Sequence, residues 1–218
     1  ADDDKRKKKI ALNCNLREKD IISAPNVDNI YEIPLNFEKD KLGDLLLDKL
    51  KMKTKRHDLN MWRRFVRNSR GLKRTVRIGI VGKYFGTGSF MLTDSYISII
   101  EAIKHAAWFF KYKPEIKWLD SEKYEENPEA VGELKQFDGV IVPGGFGKRG
   151  IEGKISAIRF VRENDIPYLG LCYGMQLALV EFARNVADLE DAHTTEINSI
   201  TAHPVIHTMA DQVEKIQK

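Results

Sequence analysis

The sequence predicts an α/β protein: a mostly parallel sheet flanked by helices, preceded by a small piece of a second domain. Three observations carry this. From about residue 75 onward, short apolar runs alternate with helical patterns, and such alternation builds a parallel sheet covered on both faces. Glycine-rich or cysteine-bearing turns follow several of those runs, where ligands of parallel sheets bind. Before residue 75 the apolar elements are too few to close a core of their own. A chain of 218 residues, 42% hydrophobic and 31% charged, has room for one substantial domain and a smaller neighbour.

In order, Lys9-Ile10-Ala11-Leu12-Asn13-Cys14 reads as a short strand, and Asn26-Val27-Asp28-Asn29 as a turn. Ile30-Tyr31-Glu32-Ile33 reads as a second extended segment ended by Pro34. Residues 39–50 place Leu42, Leu45, Leu46 and Leu50 at helical spacing. Residues 51–74 are basic and read as an interdomain linker. In that stretch Met61, Trp62 and Phe65 fall at the spacing of one buried helical face. The expected division is therefore 1–50, 51–74 and 75–218.

In the third segment Val76-Arg77-Ile78-Gly79-Ile80-Val81 is a buried strand ending at Gly82. Thr93 or Asp94 can cap a helix running to about Phe110, with Ile99, Ile100, Ile103 and Ala106 on its inner face. Residues 116–119 and 139–142 are strands, and Ile155, Ile158, Phe160 and Val161 mark a helix. Residues 167–171 form a strand that runs into Cys172, and residues 174–187 are helical.

The net charge of +4 is concentrated in residues 5–9 and in a stripe from Lys49 to Arg77. Basic stripes can bind nucleic acid. A solvated linker, or a face meeting nucleotide phosphates or another subunit, is the reading preferred here, so no nucleic-acid partner is expected. No apolar run reaches the roughly 18 residues of a membrane span. The N-terminal ADDDKRKKK lacks the apolar core of a signal peptide and resembles the remnant of a protease-site tag. With only Cys14 and Cys172, a disulfide framework is not expected, and a cytoplasmic protein is.

Chemistry concentrates at Gly170-Leu171-Cys172-Tyr173-Gly174, a glycine-flanked cysteine between a strand and a helix. This is the cysteine form of a nucleophile elbow, whose tight packing leaves little room for a Cβ on either side. The N–H groups opening the helix point at the sulfur and favour its thiolate. The alternative is a buried structural cysteine at a strand end. Val142-Pro143-Gly144-Gly145-Phe146-Gly147 also follows a strand, and successive glycines let backbone N–H groups face an oxyanion. Gly86-Thr87-Gly88 lacks the Gly-Lys-Ser/Thr ending of a phosphate loop and reads as a surface loop.

Together, Gly170-Leu171-Cys172-Tyr173-Gly174-Met175-Gln176 and Pro143-Gly144-Gly145-Phe146-Gly147 resemble class I glutamine amidotransferases. Further segments narrow the resemblance to the CTP synthase family, and it spans essentially the whole chain. They are Val81-Gly82-Lys83-Tyr84, Asp94-Ser95-Tyr96, residues 148–154 and 180–185, Thr195-Glu196, His203-Pro204-Val205, and residues 9–11, 14–15 and 27–34. The resemblance implies a class I glutaminase fold behind the end of a P-loop-like synthetase domain. It implies a ligase that makes CTP from UTP, ATP and glutamine, with Mg2+ and ATP held mainly by synthetase segments absent from this sequence. CTP is implied as a feedback ligand, GTP as an allosteric activator, and a homotetramer as the assembly.

By the same resemblance Cys172 is the nucleophile, and Gly144 and the Tyr173 N–H hold the oxyanion. Gly145, Phe146, Tyr173, Gly174, Met175, Gln176 and Glu196 hold glutamine, with Glu196 on its ammonium. Lys9 contacts UTP or CTP, Pro25, Asn26 and Val27 border the adenine of ATP, and no residue of the chain holds a metal. Four departures stand out: Tyr173 for leucine, His193-Thr194-Thr195-Glu196-Ile197 for Asn-Ser-Thr-Glu-Phe, Asn13 for phenylalanine, and a longer loop at residues 85–91. The family's downstream His-x-Glu pair is not found. His193, His203 and His207 follow the elbow helix, while His57 and His105 precede it. The expectation is an internal fragment, a shortened sequence or one part of a split enzyme. The alternative function is a catalytically silent nucleotide-binding or assembly module; a stress-related hydrolase-like protein would leave residues 9–34 unexplained.

Overall fold

A computed structural model describes residues 2–53, 58–82, 96–145 and 148–209. The chain divides into two compact units, Ala1–Gly71 and Leu72–Lys218.

The first unit is helical: α1 (Asp2–Cys14), α2 (Ile33–Lys39), α3 (Leu42–Lys49) and α4 (Asn60–Asn68), with 3-10 turns at Glu18–Asp20 and Ile30–Glu32. Two sequence expectations are corrected here. Residues 9–14 are the end of α1, not a strand. No glycine or proline interrupts residues 2–14, and lysine, alanine and leucine favour helix. The side chain turned inward is Ala11 at 7% exposure, while Ile10 and Leu12 stay exposed, so the apparent strand alternation was misleading. Residues 30–33 are likewise not extended. Asn29 caps the turn by accepting from the Tyr31 N–H at 3.0 Å, and Pro34 lies in the first turn of α2, where its missing N–H costs nothing.

Helix α4 lies inside the stretch expected as linker. Trp62 and Phe65 pack on Tyr31, with ring centroids 5.9 and 5.0 Å away, and the Trp62 indole donates to the Tyr31 carbonyl at 2.8 Å. Met61 departs from the expected buried face, at 87% exposure; Val66 takes the inward place.

The second unit contains β1 (Arg74–Gly82), α5 (Ile97–Phe109), β2 (Tyr112–Asp120), α6 (Ser121–Glu126), a 3-10 helix (Pro128–Gln136), β3 (Gly139–Val142), α7 (Ile151–Glu163), β4 (Tyr168–Gly170), α8 (Tyr173–Asn185), β5 (His193–Thr194) and β6 (Pro204–Ile206). Strands β2-β1-β3-β4 form a sheet in that order, every pairing parallel; β5 and β6 pair separately. The Thr93 or Asp94 cap, the residue 85–91 loop and Gly86-Thr87-Gly88 lie outside the described residues.

Alternate residues of β3 face opposite sides. Val140 and Val142 join a core with Leu119, Ile155, Ile158, Val161, Leu177 and Val180, beneath α7 and α8. On the other side Ile141 and Leu169 look toward α5 and line an apolar groove of about 640 Å³ with Val76, Ile78, Ile103 and Phe110. The buried residues of α5 are Ile100, Ile103, Ala107 and Trp108. Ala106, expected on the inner face, lines the same groove and is exposed within it. Among the described residues, no helix is long and apolar enough to cross a membrane.

Candidate active site at the strand ends

Strand β4 ends at Gly170, and Leu171 keeps the chain against β3 by donating to the Val142 carbonyl at 3.0 Å. Cys172 then takes φ +52° and ψ −110°, a conformation that costs a residue with a Cβ on the order of 1–3 kcal/mol. Close packing sustains it. A Cβ on Gly174 would stand 1.9 Å from the Val142 carbonyl oxygen, and one on Gly170 would stand 2.6 Å from the Met175 nitrogen. Both glycines flanking the cysteine are thus required by backbone approach. Helix α8 starts at Tyr173, so its first N–H groups lack intrahelical acceptors. Cys172 is exposed beside them.

Opposite the sulfur lies the turn after β3. A Cβ on Gly144 would lie 3.2 Å from the Cys172 Cβ and 3.6 Å from its Sγ, so this backbone borders the thiol directly. Gly145 has φ +153°, which side-chain-bearing residues rarely adopt. The cysteine, the glycine turn and the helix start therefore share one corner of the sheet. That arrangement can bring a nucleophile and backbone donors to the same carbonyl carbon. Phe146 lies outside the described residues.

Of the other expected glutamine contacts, Met175 is exposed and Gln176 half-buried on the first turn of α8, and Gly174 is buried against β3. Tyr173 is 6% exposed and belongs to the core, and its hydroxyl has no hydrogen-bond partner among the described residues. Burial first, then the carboxylates of Glu196 and Glu152, push its phenol up to about 12. Glu196 is exposed between β5 and β6, and its charge acts on the phenol of the residue that follows Cys172. Its N–H donates to Thr194 Oγ1 at 3.3 Å.

Sequence reasoning gave Glu152 no role, yet it joins a polar group beside Tyr173. Arg184 Nη1 meets Glu152 Oε2 at 2.8 Å, Arg184 Nε donates to the Ala192 carbonyl at 2.7 Å, and His193 Nε2 lies 3.8 Å from Glu152 Oε1. The Thr194 N–H donates to His193 Nδ1 at 2.9 Å, which makes that nitrogen an acceptor. Burial, seconded by Arg184 and opposed by Glu152, holds the His193 imidazole below its ordinary range. Only a first-turn acid on α7 was visible in the sequence to mark Glu152.

The expected nucleotide residues are in the first unit. Pro25, Asn26 and Val27 line a cavity of about 380 Å³ with Ala24, Ile30, Ile33, Asn36 and Phe37. Its lining is largely apolar, with the amide side chains of Asn26 and Asn36 among it. Lys9 is exposed on α1 and is not in that lining. Among the described residues, no group of three or more His, Cys, Asp or Glu is placed to hold a metal ion.

Comparison with known proteins agrees with this geometry. Residues 91–218 match the family described as Glutamine amidotransferase class-I, and residues 2–52 match CTP synthase N-terminus. The CTP synthase of Sulfurisphaera tokodaii is 49% identical over 214 residues, covering 98% of this chain and 39% of that protein. That of Pyrococcus furiosus is 47% identical over 206 residues, covering 94% and 37%. Among solved structures, the glutaminase domain of Trypanosoma brucei CTPS with bound acivicin is similar at a TM-score of 0.57 and 39% identity, covering 63% of this chain and 51% of that one. The chain spans about two fifths of the length of these curated relatives (39% and 37%).

Proposed function

Because the chain belongs to the class I glutamine amidotransferase family, we propose that it carries the glutaminase nucleophile of a CTP synthase together with an edge of its nucleotide site. The observation that carries this reading is Cys172 in its strained turn, bordered by Gly144. The sulfur attacks the glutamine carboxamide while the Gly144 turn and the Tyr173 N–H face the developing oxyanion. The C–N bond breaks, the thiol proton leaves with the amide nitrogen as ammonia, and a glutamyl thioester remains. Water then cleaves the thioester to glutamate and restores the thiol.

Glu196 pairs with the substrate ammonium, and Gly145, Phe146, Met175 and Gln176 border the substrate. ATP phosphorylates the uracil 4-oxygen; the ammonia then attacks C4, the C4–O bond breaks, and the oxygen leaves as inorganic phosphate, converting UTP to CTP. The cavity at Pro25, Asn26 and Val27 takes the adenine, and Lys9 meets a pyrimidine nucleotide. Mg2+ belongs to segments outside the described residues, and no step here runs through it. GTP activation, homo-oligomeric assembly and a cytoplasmic setting accompany this assignment, as in the family the sequence resembles.

A glutamine-like electrophile such as acivicin tests the reading. Cys172 should be modified far faster than Cys14, and glutamine should protect it. Both cysteines are exposed, so exposure alone does not favour one over the other. Equal modification of the two without protection by glutamine would overturn the assignment.

A further inference from the structure

The loop between β5 and β6 carries Glu196, and two exposed side chains close its base. Asp191 precedes β5 and His203 precedes β6. His203 Nδ1 and Asp191 Oδ1 share a hydrogen bond. Asp191 Oδ2 also accepts from the Ala202 N–H at 3.0 Å, and the Asp191 carbonyl accepts from Thr201 Oγ1 at 2.6 Å. Thr201 Oγ1 in turn accepts from the His203 N–H at 3.1 Å. One aspartate thus gathers three consecutive residues from the far end of the loop.

We propose that Asp191 and His203 are positioning residues, a clasp that holds the loop so that Glu196 meets the glutamine ammonium beside Cys172. This rests on the reading of Glu196 as a glutamine contact. Burial argues for positioning and against a role in the fold. The Asp191 and His203 side chains are 50% and 44% exposed, and surface pairs contribute little to global stability. Elsewhere the loop is held by Ile197, which packs against the core, and by the short β5–β6 ladder. Its far side is loose: Ser199 is exposed and Ile200 is 90% exposed. With the clasp open, the neighbours of Glu196 keep their ties, Thr195 to the Ile206 carbonyl and the Thr208 N–H at 2.9 Å each and Ile197 to the core, while residues 198–203 lose their hold at the base of the loop. The Tyr173 phenol senses the Glu196 carboxylate, so the clasped loop delivers that charge to the elbow.

The test compares two reagents on the full chain: acivicin, which needs the glutamine contacts, and iodoacetamide, which needs only the thiol. Asp191→Ala and His203→Ala should each slow acivicin modification of Cys172 by about tenfold, as misplacement of a substrate contact does. Iodoacetamide rates and thermal midpoints should stay unchanged. His203→Asn, whose amide N–H stands where Nδ1 does, should recover the rate to within about twofold, and the double alanine variant should be no slower than either single one. A normal acivicin rate in Asp191→Ala, while Glu196→Gln is slow, refutes the clasp alone. A normal rate in Glu196→Gln refutes the glutamine role of Glu196, and the clasp falls with it. Equal slowing with both reagents shows a folding defect and also counts against the proposal.

Discussion

A Cβ placed on Gly144 would lie 3.2 Å from the Cβ of Cys172, closer than ordinary van der Waals contact. The turn after β3 and Cys172 are therefore held together by backbone approach across two neighbouring strands. Gly144→Ala would push the turn away from the sulfur by a fraction of an ångström. We expect reaction of Cys172 with acivicin to fall by about tenfold or more, with stability nearly unchanged. Modification rates followed by mass spectrometry give the answer, and an undiminished rate would remove Gly144 from the site.

Gly174→Ala should act on the fold instead. Its Cβ would meet the Val142 carbonyl at 1.9 Å, a backbone atom that has nowhere to go. Helix α8 would have to separate from β3, at a cost of about 3 kcal/mol. Gly132→Ala is the control, since nothing lies within 4 Å of its Cβ position. Its effect on denaturant unfolding should stay within about 0.5 kcal/mol.

The Arg162 guanidinium donates through Nε and Nη2 to the Glu181 carboxylate at 2.8–3.1 Å, and Glu181 is 1% exposed. Arg162→Ala leaves that buried carboxylate with Asn185 Nδ2, 3.2 Å away, as its remaining side-chain donor among the described residues. A loss of about 3 kcal/mol should follow in thermal or chemical unfolding of the second unit. Arg162→Lys should restore only part of it, because an ammonium cannot make the forked contact.

His193 predicts an acid sensitivity. Its imidazole is held below the ordinary 6.5, chiefly by burial, so in that range the unfolded chain binds more protons than the folded one. Stability should be level above about pH 6.5 and fall as the pH drops below it. Unfolding midpoints at about pH 7.5 and 5.5 measure the drop. His193→Asn should abolish it; the same drop in that variant would assign the effect to another group.

Legibility in the sequence followed the physical range of each signal. From residue 75 onward, apolar runs separated by helical periods revealed the strands of the parallel sheet, and glycines beside a cysteine revealed the elbow. The first unit was harder. Ile10 and Leu12 mimic strand alternation, although Ala11 is the side chain that packs. Pro34 marks an ending by its chemistry and a beginning by its position in α2. On α5 the expected inner-face residues Ile99, Ile103 and Ala106 do line the groove against the sheet, where Ala106 stays exposed because the groove is open. Glu152, Arg184 and His193 come from three separate elements, and no spacing in one dimension announces such a meeting. The clasp of Asp191 and His203 was hidden for the same reason.

The all-parallel order β2-β1-β3-β4 also governs when the surroundings of this thiol are assembled. Each strand must wait for a partner from beyond an intervening helix, and contacts of that separation form slowly. Leu171 reaches the Val142 carbonyl, and Gly144 reaches Cys172, only after β3 and β4 have paired. Until then a newly made chain carries a commonplace cysteine with no backbone donors opposite it. The corner that holds Cys172 is therefore completed only when the sheet is, and a chain in which β3 and β4 have not paired lacks it.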